Sequence, residues 1–245
     1  MQQERHVLCV NNSSKMLKEH YILSCELLRE KIESFEKYPF HLPIIQHLTK
    51  IDLHKNVTFF IGENGAGKST LLESIAINYG FNPEGWSKNF NFSTQDTHSE
   101  LADKIRLAKG IQKPKDGYFL RAETFYNVAS NIDKIHDESG WMYDSYGGKS
   151  LHKQSHGESF FSLFMNRFFG HGLYMLDEPE AALSPQRQLA FLVRMNELVK
   201  QKSQFIIVTH SPIILAYPQA KIIQFWKNGF EEIPYKQTSY YELYK

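Results

Sequence analysis

The sequence predicts an α/β fold built on a mostly parallel central sheet, and three observations carry that prediction. Residues 56–62, 172–176 and 204–209 are short runs so apolar that neither face suits water, as in strands of a parallel sheet covered by helices. The first run passes through a glycine-rich turn directly into residues 67–79, a stretch with helical character. The other two runs end abruptly on Asp177 and His210, polar residues placed where such strands leave a sheet.

Taken along the chain, the first 50 residues carry the weakest pattern. The strand at 56–62 and the helix at 67–79 then open a core whose second half begins near residue 157. Between them, residues 81–156 are richer in polar side chains, with a helical stretch at 99–109 and a strand at 118–122, and read as an inserted lobe. Residues 160–168 predict a helix, with Phe160, Phe161, Phe164, Phe168 and Phe169 expected in core and interface packing. Residues 221–235 predict a hairpin turning at Lys227-Asn228-Gly229. No repeat, low-complexity tract or linker divides the chain, so residues 1–245 are expected to form one domain, its core drawn from 1–80 and 157–245.

Composition narrows the partners. Lys plus Arg number 28 against 27 for Asp plus Glu, and a net charge of +1 provides no long-range pull toward DNA or anionic lipid, leaving DNA contact to a local basic patch. No window approaches the roughly 20 apolar residues needed to cross a bilayer, so no direct membrane insertion is expected. Residues 1–10 have the pattern of neither a signal nor a transit peptide. Cys9 and Cys25 have no metal-ligand spacing and read as reduced thiols of a cytoplasmic protein. His152 and His156 are spaced i, i+4, but a third ligand for zinc is not in view. Trp86 and Trp141 are candidates for a partner surface.

The chemistry lies at the strand ends. Gly62-Glu63-Asn64-Gly65-Ala66-Gly67-Lys68-Ser69 matches G-x-x-x-x-G-K-[ST] after a strand and before a helix, the context the pattern needs. Its glycines let the backbone curl so that N–H groups point at phosphate oxygens, and the helix N-terminus, with Thr70 in its first turn, adds a positive dipole end. Lys68 is placed to reach the β- and γ-phosphates of ATP, and Ser69 to offer a hydroxyl to Mg2+. Two carboxylates at the end of a buried strand suggest divided labour: Asp177 in the magnesium shell and Glu178 as general base.

From these residues onward the chain resembles a known family. Gln154-Ser155-His156-Gly157-Glu158-Ser159, opening a helix, is similar to the signature sequence of ABC ATPases; Val208-Thr209-His210-Ser211 is similar to their switch histidine, and Ala181-Ala182-Leu183-Ser184 falls where their D-loop lies. With 89–94, Phe119 to Glu123 and Leu176 to Gln188, the chain resembles small soluble bacterial predicted ATPases, AAA family ATPases related to RecF-like and SMC-like heads but without a long coiled coil. The resemblance implies a P-loop NTPase fold of ABC type with an N-terminal antiparallel part and a mainly helical insert. It further implies ATP-dependent homodimers in which Ser155 and Gly157 bind the γ-phosphate held by the opposite protomer, while His210 senses that phosphate from its own chain. An ATPase cycle transmitted to an unknown protein partner, in DNA maintenance or phage defence, is the expected output; a transporter ATPase subunit and a non-hydrolysing dimerisation switch are the alternatives. Three departures stand out: His156-Gly157 in place of a double glycine, Ser184 in place of the D-loop aspartate, and Glu123 near the place of the Q-loop glutamine. Tyr38 and Phe40 are candidates to stack on adenine, although core packing is the simpler role for both.

Overall fold

A computed structural model of the chain describes residues 20–82, 100–121 and 156–243. Its centre is a six-stranded sheet of β3 (Val57–Gly62), β5 (Asp116–Arg121), β6 (Gly172–Asp177), β7 (Gln204–Val208), β8 (Lys221–Trp226) and β9 (Gly229–Glu232), in the order β5-β6-β7-β3-β8-β9. The first five strands are mutually parallel, and β9 returns antiparallel on β8 as the expected hairpin. The α/β fold with a mostly parallel sheet is therefore as the apolar runs predict. A second, antiparallel sheet of three strands, β2 (Lys50–Asp52), β1 (Ile22–Leu27) and β4 (Ile105–Lys109), comes mainly from the stretch the sequence left least legible.

Alternation within the buried strands builds two cores, one on each side of the sheet. Phe59, Tyr174, Leu176, Phe205 and Ile207 face α3 (His156–Arg167) and α4 (Pro185–Lys200), where Phe164, Phe168 and Phe191 pack. Their neighbours Phe60, Met175, Ile206 and Val208 face α2 (Lys68–Tyr79), α1 (Pro43–His47) and the small sheet. Of the five phenylalanines expected in packing, Phe160, Phe164 and Phe168 are core and Phe161 packs partly buried against it, whereas Phe169 is exposed.

Gln204 fastens the two sheets together. Its Oε1 accepts from the N–H groups of Tyr21 and Ile22, and its Nε2 donates to the carbonyls of Ile22 and His54, all within 3.0 Å. A buried amide with every bond made is rigid, because each alternative leaves a polar group unsatisfied.

One expectation is corrected. Residues 100–109, the described part of the expected helix at 99–109, do not form an α-helix: Glu100–Lys104 is a short 3-10 segment, and Ile105–Lys109 is β4, paired antiparallel with β1 from Leu27↔Ile105 to Ile22↔Lys109. Leu101 and Ile105 have helical spacing, but Ile105 and Leu107 alternate, and pairing with the open edge of β1 decides the outcome. Asn78 of α2 donates to the carbonyls of Ala102 and Ile105 and closes this corner. Within 81–156, then, the described residues supply one strand to each sheet.

Candidate functional site

The carboxyl ends of β3, β6 and β7 meet along one edge of the sheet, where α/β folds hold their ligands. β3 ends at Gly62 and α2 begins at Lys68, with Gly67 as its N-cap at φ 103°. The turn is tight: a Cβ on Gly62, at φ 142°, would lie 2.4 Å from the Phe225 carbonyl oxygen, so this position must stay bare. The first turn of α2 presents backbone N–H groups without intrahelical acceptors, the ordinary state of a helix N-terminus and a ready anion site. A pocket of about 300 Å³ opens over it, lined by Asn64, Gly65, Gly67, Lys68, Ser69 and Thr70 together with Tyr38, Leu42 and Glu178.

Lys68 is buried and folds back on the loop, its Nζ donating to the carbonyls of Gly62 at 2.9 Å and Glu63 at 2.7 Å. Burial pushes its pKa down, against the opposing pull of Glu178 and Asp177. Ser69 Oγ donates to Asp177 Oδ1 at 2.8 Å, across 108 residues of sequence. A hydroxyl and a carboxylate in contact beside a phosphate-sized cradle are hard oxygen donors of the kind magnesium takes. Among the described residues no group of three or more His, Cys, Asp or Glu could hold a metal, so Ser69 and Asp177 alone would leave most of the shell to phosphate oxygens and water.

Glu178 adopts a left-handed conformation, φ 50° and ψ 52°, rare for a residue with a Cβ and costing about 1 kcal/mol or more. Its N–H still donates to the Val208 carbonyl at 2.9 Å, extending the β6–β7 pairing by one rung, and its carboxylate lines the pocket wall. The Glu178 Oε1 lies 3.6 Å from His210 Nε2, a buried atom without a hydrogen bond. Burial, followed by the nearby Lys68 ammonium, lowers the His210 pKa, so the ring is neutral at neutral pH.

Three groups given no role in the sequence reading belong to this cluster. Arg121, at the end of β5, sets Nε 3.3 Å from Asp177 Oδ2 and Nη1 3.0 Å from Glu73 Oε2, fixing the carboxylate from the side away from Ser69. The Glu180 carboxylate accepts from the His210 backbone N–H, and burial raises its pKa. The Tyr240 hydroxyl lies 3.0 Å from His210 Nδ1. Arg121 sits in parallel register with Asp177, a contact legible once strand order is known; the other two depend on loop geometry that no local pattern encodes.

The two aromatic candidates separate. Phe40 is buried in the core beneath α2, whereas Tyr38 is 64% exposed on the pocket wall, so the core role expected of it is not what the structure shows. Gly157 lies in the first turn of α3. Ser155, Glu123, His152, Trp86, Trp141, Cys9 and residues 89–94 fall outside the described residues, as does the side chain of His156.

Fold and loop together define a P-loop ATPase fold of the ABC type. The chain belongs to the AAA domain family, whose model matches residues 31–162. Among solved structures it is similar to an ATP-binding cassette of an ABC transporter in its ADP conformation, at 18% identity over 91% of this chain and 98% of that one, with a TM-score of 0.51. It is also similar to an SMC head domain from Thermotoga maritima, at 17% identity over 87% and 98%, with a TM-score of 0.42. At 18% identity the likeness to the transporter cassette is one of fold. No curated protein matches the chain. Among the described residues no helix is long and apolar enough to cross a membrane.

Proposed function

We propose that this chain binds ATP with magnesium and hydrolyses it, and that two copies meet head to tail around two nucleotides to pass the cycle to a partner protein. The observation that carries the reading is the convergence of Lys68, Ser69, Asp177, Glu178 and His210 on one sheet edge beside a helix N-terminus. The loop N–H groups cradle the phosphates, and Lys68 exchanges its two carbonyl partners for phosphate oxygens. Ser69 and Asp177 hold magnesium, which when bound supplies positive charge at the β- and γ-phosphates. Glu178 takes the proton of the attacking water, and His210 Nε2 meets the γ-phosphate. Ser155 and Gly157 of the opposite copy complete the site with a second helix N-terminus. Tyr38, exposed on the pocket wall, is suited to stack on adenine.

Calorimetry on Lys68→Ala tests the nucleotide site: ATP affinity is expected to fall at least about a hundredfold, since the phosphates lose their motif-supplied cation. Unchanged affinity removes the assignment.

A further inference from the structure

The switch histidine is held from more sides than the proposed ATP cycle requires, and the extra contact comes from the C-terminal helix. His210 lies two residues past the end of β7, with its backbone N–H bound by the Glu180 carboxylate. Its ring stands between two groups: Glu178 Oε1, 3.6 Å from Nε2, and the Tyr240 hydroxyl, 3.0 Å from Nδ1. A carboxylate facing a ring nitrogen favours N–H there and repels a lone pair. The proton of the neutral ring therefore resides on Nε2, which leaves Nδ1 an acceptor and makes the Tyr240 hydroxyl its donor.

Tyr240 lies in α5 (Ser239–Leu243), a turn fixed by its own buried start. Thr238 is fully buried; its hydroxyl donates to the Tyr235 carbonyl at 2.7 Å and accepts from the Tyr241 N–H at 3.2 Å. The Tyr240 ring packs against the core cluster that also holds Leu183 and Ile214, the residues flanking the loops that carry Glu180 and His210. The hydroxyl is thus delivered to Nδ1 by a helix whose start is hydrogen-bonded through Thr238 and whose Tyr240 ring is packed against the core.

We propose that Tyr240 is a positioning residue for His210: its hydroxyl donates to Nδ1, fixes the Nε2–H tautomer, and aims that N–H past Glu178 at the terminal phosphate. The tautomer assignment stands on the geometry alone, and its link to turnover rests on the proposed ATPase reading. In consequence the Ser239–Leu243 helix is coupled to the switch loop, and anything that moves α5 withdraws the donor that orients His210.

The test uses Tyr240→Phe, which keeps the ring in its packing and removes only the hydroxyl. Nitrogen NMR of histidine-labelled protein, with the His210 signals identified by their loss in His210→Ala, is expected to show the Nε2–H pattern in the wild type and a shift toward mixed tautomers in Tyr240→Phe. Steady-state phosphate release is expected to fall about fivefold in kcat with little change in KM for ATP, the effect of losing one hydrogen bond. In a His210→Ala background the same substitution is expected to change nothing further, which a merely structural tyrosine would not obey. An Nδ1–H pattern in the wild type, or His210 signals unchanged in Tyr240→Phe, overturns the proposal. So does a tautomer shift with turnover unaltered. A wild-type protein that shows the Nε2–H pattern yet no turnover refutes the ATPase reading and leaves the tautomer assignment standing.

Discussion

At the scale of single residues, the site concentrates strain and burial where chemistry is proposed. Glu178 holds a left-handed backbone, Lys68 is buried among loop carbonyls, and the neighbouring histidine is kept neutral by burial and by Lys68. A lowered histidine pKa has a stability consequence. Because the folded state disfavours the protonated ring, the unfolded chain binds more protons below its own histidine pKa near 6.5. Stability is therefore expected to decline as pH falls below about 6.5, and His210→Gln is expected to weaken that decline in denaturation midpoints measured between neutral and mildly acidic pH. A midpoint profile identical to wild type contradicts it. Cys25 offers a second residue-scale prediction. Fully buried beside Glu26, its thiol is pushed up to about 12. In a Cys9→Ser background it is expected to resist thiol reagents at neutral pH until the protein is denatured; rapid labelling of the native protein would show that the β1 face is open.

At the scale of elements, legibility follows burial on both faces. β3, β6 and β7 lie inside the sheet, so their apolar runs announce themselves, and the glycine-rich turn between β3 and α2 declares its chemistry locally. β1, β2 and β4 form a small sheet whose edge strands carry exposed residues, such as Lys50, Asp52 and Arg106, among apolar ones, and this mixture obscures the period-two signal. That is why β4 reads as helix in the sequence. The phosphate loop and the acid pair are contiguous in sequence and hence visible; Arg121, Glu180 and Tyr240 become visible only when strand order and loop paths bring them in. The join between the sheets makes its own prediction. Gln204→Leu removes partners from the backbone groups of Tyr21, Ile22 and His54, and is expected to destabilise the protein by roughly 3 kcal/mol in chemical denaturation, since several buried groups lose their bonds at once. A loss under about 1 kcal/mol would mean that the sheets are held by apolar packing alone.

At the scale of the whole molecule, the proposed function requires two chains to build each site. Mixing Lys68→Ala with Ser155→Arg tests that directly, each variant being expected inactive by itself. Random pairing makes about half the dimers mixed, each with one intact site of two, so activity is expected to recover to about a quarter of wild type if the sites act independently. A Ser155→Arg protein that hydrolyses ATP at the wild-type rate contradicts the shared site.

Beneath the dimer stands the claim that this sheet edge hydrolyses ATP with Glu178 as base. The most direct measurement pairs steady-state phosphate release with calorimetric ATP binding for wild type and Glu178→Gln, a substitution that keeps shape and removes the base. Turnover is expected to fall about a hundredfold or more while ATP affinity is retained. Equal turnover in the two proteins, or no turnover in the wild type, would contradict the account.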